Sequence, residues 1–472
     1  MREKCAVAGI MTADEDNSAA GLLYESLYAL QHRGTEASGM ASKTAYGLET
    51  HRELGLVRDI YDKQVITRLA GNIAFGHNRY STSGDKKRHR QPVVDEAIGL
   101  AMGHNGNLPD TTELEDHLAS HNLLHSQIND SEMIGLSIAQ FMRGDKDLPD
   151  AIEKAYPLLN GAFSCVGMQD GALVAFRDQY GIRPLALGKL GDGSWAVSSE
   201  TCGLDIIGAS YEREVRPGEL AIITKAGLES RQLAEGADKL DIFEFVYFAR
   251  HDSHLYGQSV NEIRRKFGEK LADEHNSLYS NSQNTLVVPV PDTSIPEAEG
   301  YAQKLGLTQK QAIIKNRYIG RTFMQPTNNV RQEQLRRKHN IIPEAIEGKD
   351  VIFIDDSIVR LNTMPGLVKL AKQVGARSVS VLIGSPPVRF PDFYGIDTPN
   401  QTELAAANMT IEQMRRTIGC QYLGFLSLDG MIKATGLPAE KFNLSCFTGE
   451  YPIDIGANKQ DIYTPVSMEL AE

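Results

Sequence analysis

The sequence predicts two domains of different class, an α+β unit followed by an α/β unit, and three observations predict it. The chain has 472 residues, more than one hydrophobic core ordinarily supports. Its first half is dense in short β-like runs with few helical stretches between them. Its second half alternates short, continuous apolar runs with helical segments, the rhythm of a parallel sheet covered on both faces. The rhythm changes near residue 235, beside the polar stretch "ESRQLAEGADKL", so the domains are expected at 5–235 and 236–472.

The first half opens with the β-like run "CAVAGIM". The stretch "AAGLLYESLYALQHRG" then places apolar residues at helical spacing, with Gly34 as the stop. Further β-like runs follow at "NIAFGHNRYST" and "LAMGHNGNL". A second helix is expected from "NDSEMIGLSIAQFM", capped by Asp130 or Ser131. The runs "ALVAFRD", "SWAVSSE" and "LAIITKAG" complete the sheet-rich half. In the second half "NTLVVPVPD", "KQAIIKN", "DVIFIDDS" and "SVSVLIGSPP" are the buried strands, and "IPEAEGYAQKLG" and "MPGLVKLAKQVG" the helices between them.

Composition excludes several classes. Net charge is −12, which argues against a general nucleic-acid binder and for a cytoplasmic protein. No run reaches the ~18 apolar residues of a membrane span, and "MREKCAVAGI" has no long apolar stretch of a secretory signal. The five cysteines, Cys5, Cys165, Cys202, Cys420 and Cys446, are scattered and contain no CxxC pair, unlike a disulfide framework or a zinc site.

The most informative stretch is "VIFIDDSIVRLNTMPG", Val351–Gly366. Four apolar residues run into Asp355 and Asp356, a short polar loop follows, and a helix is expected to begin near Thr363–Pro365. In open α/β sheets ligands bind beyond the carboxyl ends of strands. Adjacent residues of a strand point to opposite faces, so one aspartate can face sugar hydroxyls and the other a hydrated Mg²⁺. The backbone N–H groups at the helix start suit a phosphate. An Asp-Asp pair by itself is better matched by two solvated carboxylates capping a helix.

The whole stretch resembles the phosphoribosylpyrophosphate (PRPP) loop of type I phosphoribosyltransferases, and most closely that of the amidophosphoribosyltransferase family. Asp355, Asp356, Ser357, Ile358, Val359, Arg360 and Thr363 match the family pattern, while Leu361 and Asn362 stand where it has Gly and Thr. "VYFARHDS", "VPVPDTS", "KNRYIGRTFMQP", "SPPVRFPDFYGID" and "CFTGEYP" match as well. In the first half "QHRGTEASG" with Arg33, "GHNRYSTSG" with Arg79, "GHNGNLPD" with Asn105 and Gly106, and "NDSEM" with Asp130 resemble the N-terminal-nucleophile glutaminase domain of that family. The resemblance therefore implies a four-layer αββα glutaminase followed by an α/β phosphoribosyltransferase.

Roles follow from the same resemblance. Cys5 is the nucleophile, with Asn105 and Gly106 forming the oxyanion site; Arg33, Arg79 and Asp130 bind glutamine. Cys5 has an α-amine to take its thiol proton only if Met1–Lys4 are removed, so residues 1–4 are read as a propeptide. Asp355, Asp356, Ser357, Arg360, Thr363, Tyr247, Tyr318, Arg321 and Lys338 surround PRPP, and Thr293, Asp355 and Asp356 hold one Mg²⁺ per subunit. Tyr318 and Arg321 suit a loop that closes over pyrophosphate. The implied reaction makes 5-phosphoribosylamine from PRPP and glutamine, with purine nucleotides as feedback inhibitors of a homotetramer. Some family members hold a [4Fe–4S] cluster; here its positions fall on residues such as Asp392 and on "EKFNLSCF", where Cys446 is the sole thiol, so none is expected. Glycine in a phosphate loop permits close approach and positive φ, and Leu361 does neither cheaply. Two alternatives follow from that departure: a glutaminase serving another phosphosugar, or a PRPP- or nucleotide-sensing paralogue.

Overall fold

The structure, a computed structural model, describes residues 5–79, 90–144, 146–169, 171–276, 284–316, 339–396, 398 and 400–466. Two antiparallel sheets make up the first half. The seven-stranded sheet runs Ser210–Glu214, Ala186–Lys189, Trp195–Ser198, Ala6–Met11, Ile73–Arg79, Ala37–Thr44, Gly47–Leu54. The six-stranded sheet runs Gly227–Gln232, Glu219–Thr224, Ala172–Arg177, Asn160–Gln169, Leu100–Asp110, Val93–Asp95.

The strand that follows Cys5 shows how sequence sets the layers. Ala6, Ala8 and Ile10 face the outer helix Ala19–Ala29, while Val7 and Met11 join Phe75, Val166, Leu173 and Val197 between the sheets. Every residue from Ala6 to Met11 is buried, which is why this strand reads as a continuous apolar run. On the far side, helices Thr112–Ser120, Asp130–Met142 and Leu148–Ala155 pack on Leu100, Met102, Phe163 and Phe176. Helix, sheet, sheet, helix is the four-layer order expected.

Two local expectations are corrected. The first helix ends at Ala29, well before Gly34, because the Asn78 side chain donates to the Leu27 carbonyl at 2.7 Å and takes up one of the open carbonyls of its last turn. Gly34 serves close approach instead, since a β-carbon there would lie 2.5 Å from the Asn78 carbonyl carbon. The helix at Asp130 is capped by Asn129, not by Asp130 or Ser131. Asn129 Oδ1 accepts from Glu132 N at 2.8 Å and Glu132 Oε2 accepts from Asn129 N at 3.1 Å, a reciprocal box that leaves the Asp130 carboxylate available for other work.

The second half holds a five-stranded parallel sheet in the order Thr308–Gln309, Thr285–Pro289, Asp350–Asp355, Ser378–Ile383, Tyr422–Phe425. Val287, Ile352, Ile354 and Leu382 face helices Val260–Glu274 and Ile295–Leu305. Val288, Val351, Phe353 and Val381 face helices Met364–Gln373 and Ile411–Ile418. The halves meet through a small apolar cluster of Ala162, Ile182, Phe393, Tyr394, Ile453 and Ile455.

Candidate active site

Cys5, a half-buried thiol, precedes the middle strand of the seven-stranded sheet. Arg33 Nε donates to the Cys5 carbonyl at 3.0 Å. The rest of this guanidinium, which is fully buried, is committed to carboxylates: Nη1 to Glu200 and to Glu244 Oε2 at 2.9 Å, Nη2 to Glu244 Oε1 at 2.8 Å. Arg33 therefore grips the Cys5 backbone carbonyl, and its fork is turned to Glu244.

Asn105 arrives from the other sheet. Its Nδ2 donates to Ser199 Oγ at 2.8 Å, and that hydroxyl accepts from Val7 N at 2.9 Å, so one serine ties Asn105 to the Cys5 strand. Nδ2 carries two protons, and one remains for a developing oxyanion. Gly106 has φ 134, and a β-carbon there would overlap the Ala162 carbonyl oxygen, so only glycine fits. Gly395 lies against Gly106, where its own β-carbon would stand 3.2 Å from the Gly106 Cα, and Asn107 Nδ2 donates to the Phe393 carbonyl at 2.8 Å.

Asp130 Oδ2 lies 3.4 Å from His104 Nε2, and Ser131 Oγ is 3.0 Å from His104 Nδ1. Burial raises the Asp130 carboxyl, but His104 and the Ser131 and Leu108 N–H groups hold it net below the usual range, so it is anionic. Arg79 ends its strand nearly buried. Burial, with Arg79 and His104 nearby, lowers the His77 pKa to about 3, so that imidazole stays neutral. Cys5, Arg33 and Asn105 are thus joined through the Val7 strand, and Asp130 reaches, through His104, His77, which stands two residues along the strand from Arg79.

The second group forms at the carboxyl ends of adjacent parallel strands. Asp355 ends its strand half-buried, Asp356 is 7 % exposed, and Thr293 follows the neighbouring strand Thr285–Pro289. Ser357 Oγ donates to Asp356 Oδ1 at 2.6 Å. Burial pushes the Asp355 carboxyl well above its ordinary range and Asp356 pushes it further. Behind them lies fully buried Glu297, with neither carboxyl oxygen hydrogen-bonded; burial, then Asp356, pushes its carboxyl well above the usual range. Two crowded hard-oxygen ligands at a strand end fit a divalent cation that keeps water and substrate oxygens in its shell. Among the described residues no group of three or more His, Cys, Asp or Glu could hold a metal by itself.

The loop after Asp356 has Leu361 at φ 51, in the left-handed region that a glycine position permits. Thr363 precedes helix Met364–Gln373, with Pro365 in its first turn. Arg360 Nε donates to Glu403 at 2.6 Å, so it faces a carboxylate here rather than open space. Tyr247 is half-buried in the turn Glu244–Phe248. Tyr318, Arg321 and Lys338, like Met1–Lys4, lie outside the described residues. At the positions considered for a cluster, Asp392 Oδ1 accepts from Tyr394 N and Ile396 N, at 2.8 and 2.9 Å, and Cys446 is buried.

Sequence reasoning missed Ser199, Glu200, Glu244 and Glu297. For Ser199 and Glu200 the available signal was "SSE", three polar residues closing an apolar strand.

Comparisons with known proteins agree with this layout. A family described as glutamine amidotransferase domain matches residues 77–205. The chain is 42 % identical to an amidophosphoribosyltransferase of Mycobacterium leprae over 96 % of its own length and 83 % of that protein. It superposes with TM-score 0.87 and 35 % identity on glutamine PRPP amidotransferase from B. subtilis, solved with ADP and GMP, covering 96 % of this chain and 98 % of that one. A solved chain described as the allosteric regulatory enzyme of purine biosynthesis gives TM-score 0.87 and 34 % identity, covering 99 % of this chain and 100 % of that one.

Proposed function

The chain belongs to the amidophosphoribosyltransferase family, and from that premise we propose how its own residues carry out the glutamine-dependent amination of PRPP, the first step of purine biosynthesis. Residues 5–235 act on glutamine and residues 236–472 on PRPP.

Cys5 Sγ attacks the glutamine amide carbon, and its proton passes to the cysteine's own α-amine, whose reference pKa of about 7.7–8.0 suits the task. That amine is exposed by removal of Met1–Lys4. Asn105 Nδ2 and the Gly106 N–H receive the oxyanion. The departing nitrogen takes the proton and leaves as ammonia, and water hydrolyses the thioester to give glutamate. Arg79 forks onto the α-carboxylate of glutamine and Asp130 holds its α-ammonium. The contact of Gly395 with Gly106 supports a short, dry passage, because ammonia released there meets the second half of the chain at once.

At the PRPP site Asp355 and Asp356 accept the ribose hydroxyls, and with the Thr293 hydroxyl they would hold one Mg²⁺. Such an ion would supply positive charge to offset the charge of the leaving pyrophosphate. Ser357, Arg360 and Thr363 surround the 5′-phosphate, with Arg360 exchanging Glu403 for it. Tyr247, Tyr318, Arg321 and Lys338 complete the surroundings of PRPP. No iron–sulfur cluster is needed, and iron and sulfide analysis of anaerobically purified protein checks this. A relative solved with ADP and GMP supports control by purine nucleotides; the assembly proposed is a homotetramer. No helix among the described residues is long and apolar enough to cross a membrane, and a cytoplasmic location is proposed.

One observation carries the glutaminase assignment: Arg33 and the Asn105–Ser199–Val7 bridge converge on the backbone of Cys5 and its strand. Cys5→Ala tests it. Glutamine-dependent synthesis is expected to vanish while ammonia-dependent synthesis persists; continued use of glutamine would overturn the assignment. The sensor alternative has one observation in its favour, the strained Leu361.

A further inference from the structure

Glu244 belongs to the second half of the chain. Its neighbours Ile242, Phe243, Phe245 and Val246 are all part of the core built around the parallel sheet. Its carboxylate nevertheless reaches into the first half and takes Arg33 in a two-point grip, Oε1 on Nη2 and Oε2 on Nη1. Both side chains are fully buried. Arg183 Nη2 holds Glu244 Oε1 from the other side at 2.9 Å, and Arg183 Nη1 lies 3.1 Å from Asp241 Oδ2. Burial raises the Glu244 carboxyl, but Arg33 and Arg183 keep it net below the usual range, so it is anionic. Glu200, the other partner of Arg33, also accepts from His32 Nε2, Ser253 Oγ and Arg250 N, at 2.8, 2.6 and 2.9 Å.

A guanidinium is planar and rigid. A carboxylate that grips two of its nitrogens fixes the whole plane, and with it the direction of the third N–H. In Arg33 that third N–H is Nε, and it points at the Cys5 carbonyl. We infer that Glu244 is a positioning residue for the glutaminase reaction: through Arg33 it sets the Cys5 peptide plane, and thereby the direction of the Cys5 thiol and α-amine, so that the nucleophile of one half is aimed by a carboxylate of the other. A residue that begins the processed chain has a covalent neighbour on one side only, so its carbonyl is the natural point to hold. With Glu244 neutral, Arg33 keeps Glu200 but can pivot about it, and Nε loses its fixed aim. The inference rests on Cys5 being the nucleophile.

The test uses the full-length enzyme with Glu244→Gln, Arg33→Lys and the double variant, read as glutaminase kcat and KM at saturating PRPP beside ammonia-dependent synthesis. Glu244→Gln is expected to lower glutaminase kcat about tenfold to a hundredfold with KM for glutamine within about threefold, as misplaced reacting groups do. Ammonia-dependent synthesis stays within about twofold, and the double variant loses no more than Arg33→Lys alone, because the two act as one unit. Unchanged kcat, a rise confined to KM, additive losses, or a parallel fall in ammonia-dependent synthesis would each overturn it. Should Glu244→Gln prove insoluble, Glu244→Asp keeps the charge, shortens the reach and carries the same expectations; loss of both activities there also overturns it. Cys5→Ala separates the premise: if that variant still uses glutamine, the nucleophile assignment falls, whereas if it does not and Glu244→Gln keeps full kcat, only the positioning role falls.

Discussion

Replacing Leu361 and Asn362 by Gly and Thr separates backbone strain from ligand contact. Leu361 sits at φ 51, a conformation that costs a non-glycine residue about 1–2 kcal/mol. Leu361→Gly removes that cost. It also forfeits about half of the roughly 1.5–3 kcal/mol that full burial of a leucine contributes, since the side chain is half-buried against the core. Glycine adds freedom to the unfolded chain, about 0.4–1 kcal/mol against it. The contributions nearly cancel, so stability in a denaturant titration is expected to change by no more than about 1 kcal/mol. Strain present both with and without ligand leaves affinity untouched. Tighter PRPP binding must therefore come from closer backbone approach and the new hydroxyl. One charge-assisted hydrogen bond contributes about 1.5–3 kcal/mol, and tenfold in affinity needs about 1.4. Calorimetry with the double variant is expected to show PRPP bound at least about tenfold tighter. A loss of more than about 2 kcal/mol on Leu361→Gly alone would refute the strain account, because burial would then dominate. Unchanged PRPP affinity in the double variant would refute the contact account and show the parent loop to be already complete.

Two further outcomes are expected. Gly106→Ala must move backbone, because its β-carbon overlaps the Ala162 carbonyl; glutamine-dependent turnover should fall about 10²-fold or more, as when an oxyanion donor is lost, with ammonia-dependent synthesis as the internal control. Burial, then Asp392, raises the Asp241 pKa from 3.8 to about 8, so between those values the folded chain binds a proton that the unfolded chain does not, and stability falls as pH rises through that window. Asp241→Asn should flatten that slope in thermal unfolding followed from pH 5 to pH 8, and an unchanged slope would assign it to other groups.

What the sequence showed and what it hid divide by range. The three central strands of the parallel sheet were legible because a strand covered on both faces is apolar throughout, and the aspartates at the end of one because two adjacent carboxylates stand out sharply against such a run. The run in "KQAIIKN" was misplaced: Ile313–Lys315 pairs antiparallel with His339–Ile341, outside that sheet, and Ile314 is exposed. Leu361 stood out as a departure at a glycine position, but only the structure decides that its φ is positive. Arg33 was found, but the carboxylates that hold it were not. Its carboxylate partners stand 167 and 211 residues away along the chain, and no local pattern records which buried charges will meet. Ser199 was hidden likewise, as a hydroxyl whose importance lies in the two strands it joins, one of them 192 residues distant. Asp130 was misread as a cap because Asn129 beside it is equally suited to that place, and only the geometry of Glu132 decides between them.

Gly106 and Gly395 lie back to back, each from a different half of the chain, with no side chain between them. For anyone building chimaeras from this enzyme and a relative, the seam is therefore not at the covalent junction near residue 235. A graft that exchanges the first half alone inherits a foreign surface against Gly106. The stretch around Phe393–Gly395, which also carries the carbonyl that receives Asn107, should travel with the donor of Gly106 even though it lies far along the other half of the chain.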